Sequence, residues 1–378
     1  MWHRLLMLTA GLYLRRQCRR RPPRPRVELK EENVQRVLLI SSTGVGDTLF
    51  STPVFRALKE CQPGWRLDLV ADQRFVGLVA HNPHLRQVWT YSGRNRGFLT
   101  LIKQLRQQQY DMAIILHGND PEATLLAYAS GSPYLIGSSK SPLSFAYAAG
   151  VEPNHPLEHA VEQRLNFVRL LGIDTPDKRM ELFLPPDELD RAREILSRHF
   201  GAVPPVLLAL HPTGSSPYKW WPTESFRELG NYLYATYGAP LLIISGKQDR
   251  QVAEDLAAGL RGPTLVTGGN FPILTVGALL SQCQLLVGND SGPMHMALAL
   301  GIPCIDLLGP DHPARIGPYQ VDWGTYLYKK EEICSSEHCL ATRRCIDNRC
   351  IQAIKVEEVI RVVQEWWEPR SILTAPSS

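Results

Sequence analysis

Three short stretches of this 378-residue chain combine residue types that can hold a polyphosphate or move a proton. The first, 41-SSTGVGDTLFSTP-53, follows an apolar run ending at Ile40 and precedes a helical pattern. A glycine-bearing turn between strand and helix ordinarily cradles phosphate on backbone amides. Gly44 and Gly46 are in place, but Leu49 stands where G-x-G-x-x-G needs its third glycine, and no lysine completes a phosphate loop. The turn offers a carboxylate instead, Asp47, followed by Thr48. Asp47 either caps free amides of its own helix or stands at a strand end as a group able to accept a proton.

The second stretch is 211-HPTGSSPYKWWPTESF-226. Thr213, Gly214 and Ser215 offer hydroxyl and amide donors, and Lys219 adds full positive charge, a set suited to phosphate. The competing reading is a surface loop anchored by Trp220 and Trp221. The third stretch, 288-GNDSGPMHMALALGIPCIDLLGP-310, places N-D-S-G at a helix start, where Ser291 and Gly292 let an anion approach partly charged amides. Asn289 precedes Asp290, which can accept bonds from sugar hydroxyls or tie down its loop. His295 either donates to a phosphate or caps its helix. A fourth group, Cys334, Cys339, Cys345 and Cys350, is spaced more loosely than paired C-x2-C. Zinc, an iron–sulfur cluster, disulfides and plain thiols all remain open there.

These residues need elements to position them. Strands are predicted at 37–40, 66–71, 87–91 and 112–116, with helices at 53–61 and 97–110, the latter turning Leu99, Ile102 and Leu105 to one face. Five further strand-and-turn units occupy 206–212, 240–246, 264–268, 284–290 and 303–310. Repeated β-α-β text implies parallel sheets covered on both sides, so the fold class is α/β, two Rossmann-like doubly wound domains. The expected division is a tail at 1–35, a first domain at 36–185, a linker at 186–204 and a second domain at 205–354 containing the cysteine segment 334–350. A C-terminal helix and tail at 355–378 are expected to pack back on the first domain. Ligands bind where the carboxyl ends of such strands open, which puts the expected cleft between the two sheets.

Hydrophobic content of 44% and charged content of 21% describe a folded globular chain rather than a disordered one. The net charge of +4 has a local origin: eight arginines and no acid lie in residues 1–26, and the remainder carries fewer basic than acidic side chains. Nucleic acid is therefore not an expected partner of the body. The apolar stretch 5–14 falls short of the roughly 20 residues a spanning helix needs. The positive charge follows it without a small-residue cleavage site, which argues against an export signal. A short apolar helix followed by arginines suits peripheral contact with an anionic membrane, and a disordered tail is the alternative.

Taken together, G-D-x-x-x-x-T-P (Gly46 to Pro53), H-P-T-G-S…K-x-W-P (His211 to Pro222) and N-D-S-G-P-M-H-M-A…G-I-P…L-G-P (Asn289 to Pro310) resemble glycosyltransferase family 9, the ADP-heptose:lipopolysaccharide heptosyltransferases. The resemblance runs from residue 36 to about 365 and implies a GT-B fold with acceptor on the first half and nucleotide sugar on the second. It implies an inverting, metal-independent reaction in which Asp47 is the general base. Lys219, Thr213 and the helix-start amides after Asp290 would stabilise the departing diphosphate. No cofactor is implied. The implied donor is ADP-heptose and the implied acceptor a glycolipid or lipopolysaccharide core, at the inner face of the cytoplasmic membrane. The family's acidic nucleoside contact falls on Gln248 or Asp249, and Gly44, Gly46 and Thr48 form the acceptor-side turn. A non-catalytic nucleotide-sugar binder is the alternative, as is a transferase of the same family with another sugar. An epimerase or dehydrogenase would need the missing G-x-G-x-x-G.

Overall fold

A computed structural model describes residues 2–20, 22–93, 97–118, 121–152, 154–334, 345 and 348–371, with side chains from residue 11 onward. The chain forms two compact units, Met1–Glu181 and Leu182–Ser378.

In the first unit, β1 (Arg36–Ser41), β2 (Arg66–Asp72), β3 (Gln87–Tyr91), β4 (Met112–Ile115), β5 (Tyr134–Ser138) and β6 (Ala149–Val151) make one sheet. The order is β3-β2-β1-β4-β5-β6, and every pairing is parallel. A parallel sheet is covered on both faces, so its central strands are apolar throughout: Val37 to Ile40 are fully buried. The crossovers include α2 (Val45–Phe50), α3 (Thr52–Cys61), α4 (Phe98–Gln107) and α5 (Pro121–Ala129), while α1 (Trp2–Arg20) precedes the sheet and α6 (Ala160–Arg169) follows it. In α4 the buried pair is Leu101 and Leu105, one turn apart, and Leu99 is 77% exposed. The predicted face was out of phase, because a step of three residues repeated twice drifts round a helix of 3.6 residues per turn.

The second unit repeats the plan. Its strands are β7 (Leu208–His211), β8 (Leu241–Ile243), β9 (Thr264–Val266), β10 (Leu285–Asn289), β11 (Cys304–Leu308) and β12 (Gly324–Tyr328). They lie in the order β12-β11-β10-β7-β8-β9, again parallel. Its helices include α7 (Pro186–Phe200), α8 (Thr223–Tyr237), α9 (Arg250–Ala258), α10 (Ile273–Leu280) and α11 (Gly292–Leu300). The segment read as a linker is thus mostly α7, which packs on α10 within this unit, Thr275 donating to Glu188 at 2.7 Å. The C-terminal helical turns, read from the sequence as returning to the first half, seat Val356, Val359, Val363 and Trp367 in the core of the second unit. The Trp367 indole donates to the Gln284 carbonyl at 2.9 Å.

In each sheet the strand order reverses at one place, between β1 and β4 and between β7 and β10. Loops leaving the carboxyl ends of such neighbours diverge to opposite faces and leave a crevice.

Candidate active site

The first crevice is built on the turn after β1. Gly44 caps α2 in an extended conformation with no side-chain bond, so the capping role open to Asp47 is not taken. Thr48 closes the turn by donating its hydroxyl to the Gly44 carbonyl at 2.8 Å. Ser51 donates to the Asp47 carbonyl at 2.9 Å. The Asp47 side chain is left 41% exposed in the first turn of α2, and one oxygen accepts a hydrogen bond from Arg164 Nη2 at 2.7 Å. Arg164 itself is 10% exposed. Burial pushes its guanidinium pKa down, and Asp47 opposes that shift. Across the crevice Ser42 Oγ lies 3.3 Å from His117 Nε2, joining the ends of β1 and β4. Beside Arg164 a cavity of about 210 Å³ opens at the carboxyl ends of β4–β6, lined by Ser138, Lys140, Glu152 and Gln163 among others.

Arg164 was not singled out from sequence, although a signal existed. Val161, Arg164, Leu165 and Val168 follow the i, i+3, i+4, i+7 spacing of a buried helical stripe, and all four are buried. An arginine in such a stripe needs a partner, because an unpaired buried charge is costly.

The second crevice brings together stretches some 75 residues apart. Asn289 at the end of β10 accepts from the Trp221 amide at 2.9 Å and donates to the Thr213 carbonyl at 3.3 Å. This stitches N-D-S-G to T-G-S-S across adjacent strands. The close approach needs glycine at 288, since a Cβ there would stand 2.7 Å from that of His211. His211 Nδ1–H donates to the Ile244 carbonyl at 2.7 Å, and burial pushes its pKa down to about 4, so it is a neutral strut at pH 7. Trp221 is buried and its indole donates to the Ile354 carbonyl at 2.8 Å, so this tryptophan anchors the loop to the core.

Lys219 ends a short 3-10 turn, Pro217–Lys219, and its ammonium lies between two carboxylates, Asp290 at 3.4 Å and Asp311 in direct contact. Asp290 also lies 3.5 Å from His295 Nε2. Burial pushes the Asp290 carboxyl up, with Lys219 opposing. Behind them Asp306 is fully buried on β11, and burial, then Asp290, pushes its carboxyl well above the usual range. Ser291 is the N-cap and Gly292 the first residue of α11, a nine-residue helix with no side-chain cap on its first turn. Ser215 is exposed. Gln248 is exposed and Asp249 begins α9, one strand over from β7. Among the described residues no hydrogen bond ties either to the Lys219 cluster. Asp311 was missed from sequence, though it directly follows L-G-P at the carboxyl end of a strand, where ligand loops lie.

Of the four clustered cysteines, Cys339 lies outside the described residues. Among those described, no three His, Cys, Asp or Glu side chains are grouped to hold a metal ion.

The model for glycosyltransferase family 9 (heptosyltransferase) matches residues 98–343, more than half of the chain. The chain belongs to glycosyltransferase family 9. It is 27% identical over 280 residues to lipopolysaccharide heptosyltransferase 3 of Escherichia coli, spanning 71% of this chain and 82% of that protein. Among solved structures, the family 9 glycosyltransferase of Veillonella parvula matches with a TM-score of 0.77 at 23% identity, over 88% of this chain and 97% of its own. ADP-heptose lipopolysaccharide heptosyltransferase II of E. coli matches at 0.75 and 18% identity, over 89% and 100%. The two doubly wound sheets are accordingly those of the GT-B fold. This family 9 chain is therefore a glycosyltransferase, and its two switch-point crevices are the places where sugar transfer chemistry is to be sought.

Proposed function

We propose that the protein is an inverting heptosyltransferase that moves a heptose from ADP-heptose to a lipopolysaccharide-core or similar glycolipid acceptor without a metal. The observation that carries the reading is the half-exposed Asp47 carboxylate held by a buried guanidinium at the carboxyl edge of the first sheet. The acceptor occupies that crevice, with Lys140 and Gln163 beside it for polar and anionic groups. Asp47 takes the proton of the acceptor hydroxyl as its oxygen attacks the anomeric carbon. The bond from that carbon to the diphosphate oxygen breaks on the opposite face, through an oxocarbenium-like transition state, and configuration inverts.

The leaving ADP carries the growing charge to the second crevice. Lys219 and the α11 amides at Ser291 and Gly292 stabilise it, with Thr213 and Gly214 shaping the loop. Lys219 is already matched by Asp290 and Asp311, so the diphosphate must compete for it. Asn289 holds the two loops together. Gln248 and Asp249, in the turn between β8 and α9, would contact the nucleoside. We place the protein peripherally at the cytoplasmic face of the membrane. Two facts support this: the arginines of residues 1–26 and the exposure of Leu12 and Tyr13. No helix among the described residues is long and apolar enough to cross a membrane.

The test is transfer from purified ADP-heptose to a defined core acceptor, with product anomer read by NMR and the reaction repeated after exhaustive chelation. A product of inverted configuration formed undiminished in chelator supports the reading. Retention of configuration overturns the mechanism, and loss of activity restored by a metal overturns the metal-free assignment.

A further inference from the structure

The N-terminal helix does more than carry charge. Gly11, Leu14 and Cys18 fall on one stripe of α1, and Leu14 is wholly buried against Leu143, with Leu125, Tyr128 and Phe145 around it. A Cβ at Gly11 would lie 3.7 Å from Leu143, so α1 lies close to this surface along the stripe. The helix is part of the first unit rather than a loose tail, and its apolar seam is spent on protein. A neighbouring stripe, Tyr13, Gln17 and Arg20, forms one wall of a cavity of about 820 Å³ whose other walls come from Pro22–Arg24, α4 and α5.

That cavity has an unusual lining. Three exposed arginines, Arg20, Arg24 and Arg106, come to it from separate elements, and among the described residues no carboxylate lines it. None of the three is paired with a carboxylate among the described residues. Leu99, Ile102 and Tyr13 supply apolar surface at the same cavity, with Leu99 77% and Tyr13 53% exposed. Leu12, next to Tyr13, is 68% exposed. Guanidinium groups bind phosphate oxygens in forked pairs. A soluble phosphate would require the arginines but not the leucines and tyrosine beside them. A lipid phosphodiester seated in a bilayer requires both.

We propose that this cavity is a binding site for the headgroup of an anionic glycerophospholipid, with Leu12, Tyr13 and Leu99 entering the interface around it. The inference rests on the peripheral-membrane reading above and sharpens it from diffuse attraction to a built site. The site shares no lining residue with the cavity beside Arg164, so it can anchor the enzyme without occupying the acceptor crevice. Its volume falls in the range of small-molecule pockets, roughly 300–1,000 Å³.

The experiment is co-sedimentation of the full chain with phosphatidylcholine vesicles with and without phosphatidylglycerol. The wild type is compared with two triple variants that remove equal charge. One is R20A/R24A/R106A at the cavity. The other is R191A/R193A/R198A on α7, whose exposed arginines are already paired with Glu188, Asp190 and Glu194. Each basic group at an anionic surface contributes about fivefold in affinity, so the cavity variant should bind about a hundredfold more weakly. The α7 variant should lose no more than about threefold, because exposed arginines already matched by carboxylates add little attraction. All six arginines are exposed, and unchanged thermal midpoints check that the folds are intact. Deleting residues 1–26 is a poorer test, since it would uncover Leu143. Equal losses in the two variants overturn the built site and leave diffuse attraction standing. Failure of the wild type to bind anionic vesicles removes the membrane reading and this inference with it. Displacement by inorganic phosphate at matched ionic strength assigns the arginines to a soluble anion and overturns the lipid.

Discussion

The two crevices of this enzyme occupy the same place in the same topology and organise charge in opposite ways. In the first, a buried arginine holds a carboxylate that remains 41% exposed. In the second, the lysine is 16% exposed and sits between Asp290 at 7% and Asp311 at 23%. Strand order sets where a ligand can bind, and the buried partner sets what the crevice presents. One presents a half-exposed carboxylate, the proposed base, held by its arginine. The other holds a cation already matched by two carboxylates, so an incoming anion would have to compete for it.

The comparison breaks most readily at Asp47. Asp47→Asn keeps an oxygen that can accept from Arg164, so the pair's geometry survives while the proton acceptor is lost. Transfer should fall by about two to four orders of magnitude, the span of general-base catalysis, with donor affinity preserved. Turnover within a few-fold of wild type in a quenched-flow assay would move the base elsewhere. Arg164 sharpens the same contrast. Arg164→Gln should lower kcat by about a hundredfold through misplacement of the carboxylate and leave the donor Kd unchanged, with Arg164→Lys recovering part of the rate. Loss of stability with an unchanged kcat would make the pair purely structural.

The second crevice is tested through its donor affinity. Lys219→Ala removes a charge-assisted contact and should weaken ADP binding by about 10–100-fold in calorimetry. The caged arrangement also predicts pH dependence. Burial raises the Asp290 carboxyl to about 6, so above that pH it is ionised, repels the diphosphate and competes for Lys219. Binding is then linked to proton uptake, and affinity falls as pH rises past 6, by at most about tenfold per pH unit for one proton. Asp290→Asn should flatten the profile, and a flat wild-type profile would show that the diphosphate does not meet this carboxyl.

Much of this architecture was legible in the residues. β1, β2, β4, β7, β10 and β11 are mostly apolar runs ended by turn residues, and the three loop motifs fall at the carboxyl ends of β1, β7 and β10. β6, three residues reading A-G-V, carries no periodic signal. β12 is a partly exposed edge strand of mixed composition, so its text does not distinguish it from a loop. Asp47 and Lys219 could be nominated by type and position, but their partners could not, because Arg164 lies 117 residues from Asp47 and only tertiary packing brings them together. The glycines of the first turn illustrate the limit. Gly44 has an extended backbone that other residues adopt, and an added Cβ would lie 3.6 Å from an Asp47 oxygen, an ordinary contact, so neither backbone nor space demands glycine there. A lone sequence offers the motif without that distance.

The smallest effect lies behind the second crevice. Both oxygens of Asp306 lack a hydrogen-bond partner among the described residues, and burial followed by the Asp290 charge holds its carboxyl well above the usual range. The unfolded chain gives up this proton near pH 4, whereas the native state keeps it. Native stability contributed by Asp306 is therefore full at acid pH and lost as pH rises toward the native pKa. Asp306→Asn removes the titration while keeping the shape. The variant should match wild type near pH 4 and exceed it increasingly toward pH 7, by about 2–4 °C in Tm for each kcal/mol recovered in a unit this size. A Tm gap that stays constant with pH would mean that Asp306 is ionised in the folded protein. The second crevice would then hold three carboxylate charges around its single lysine, and the diphosphate would need more than Lys219 to enter.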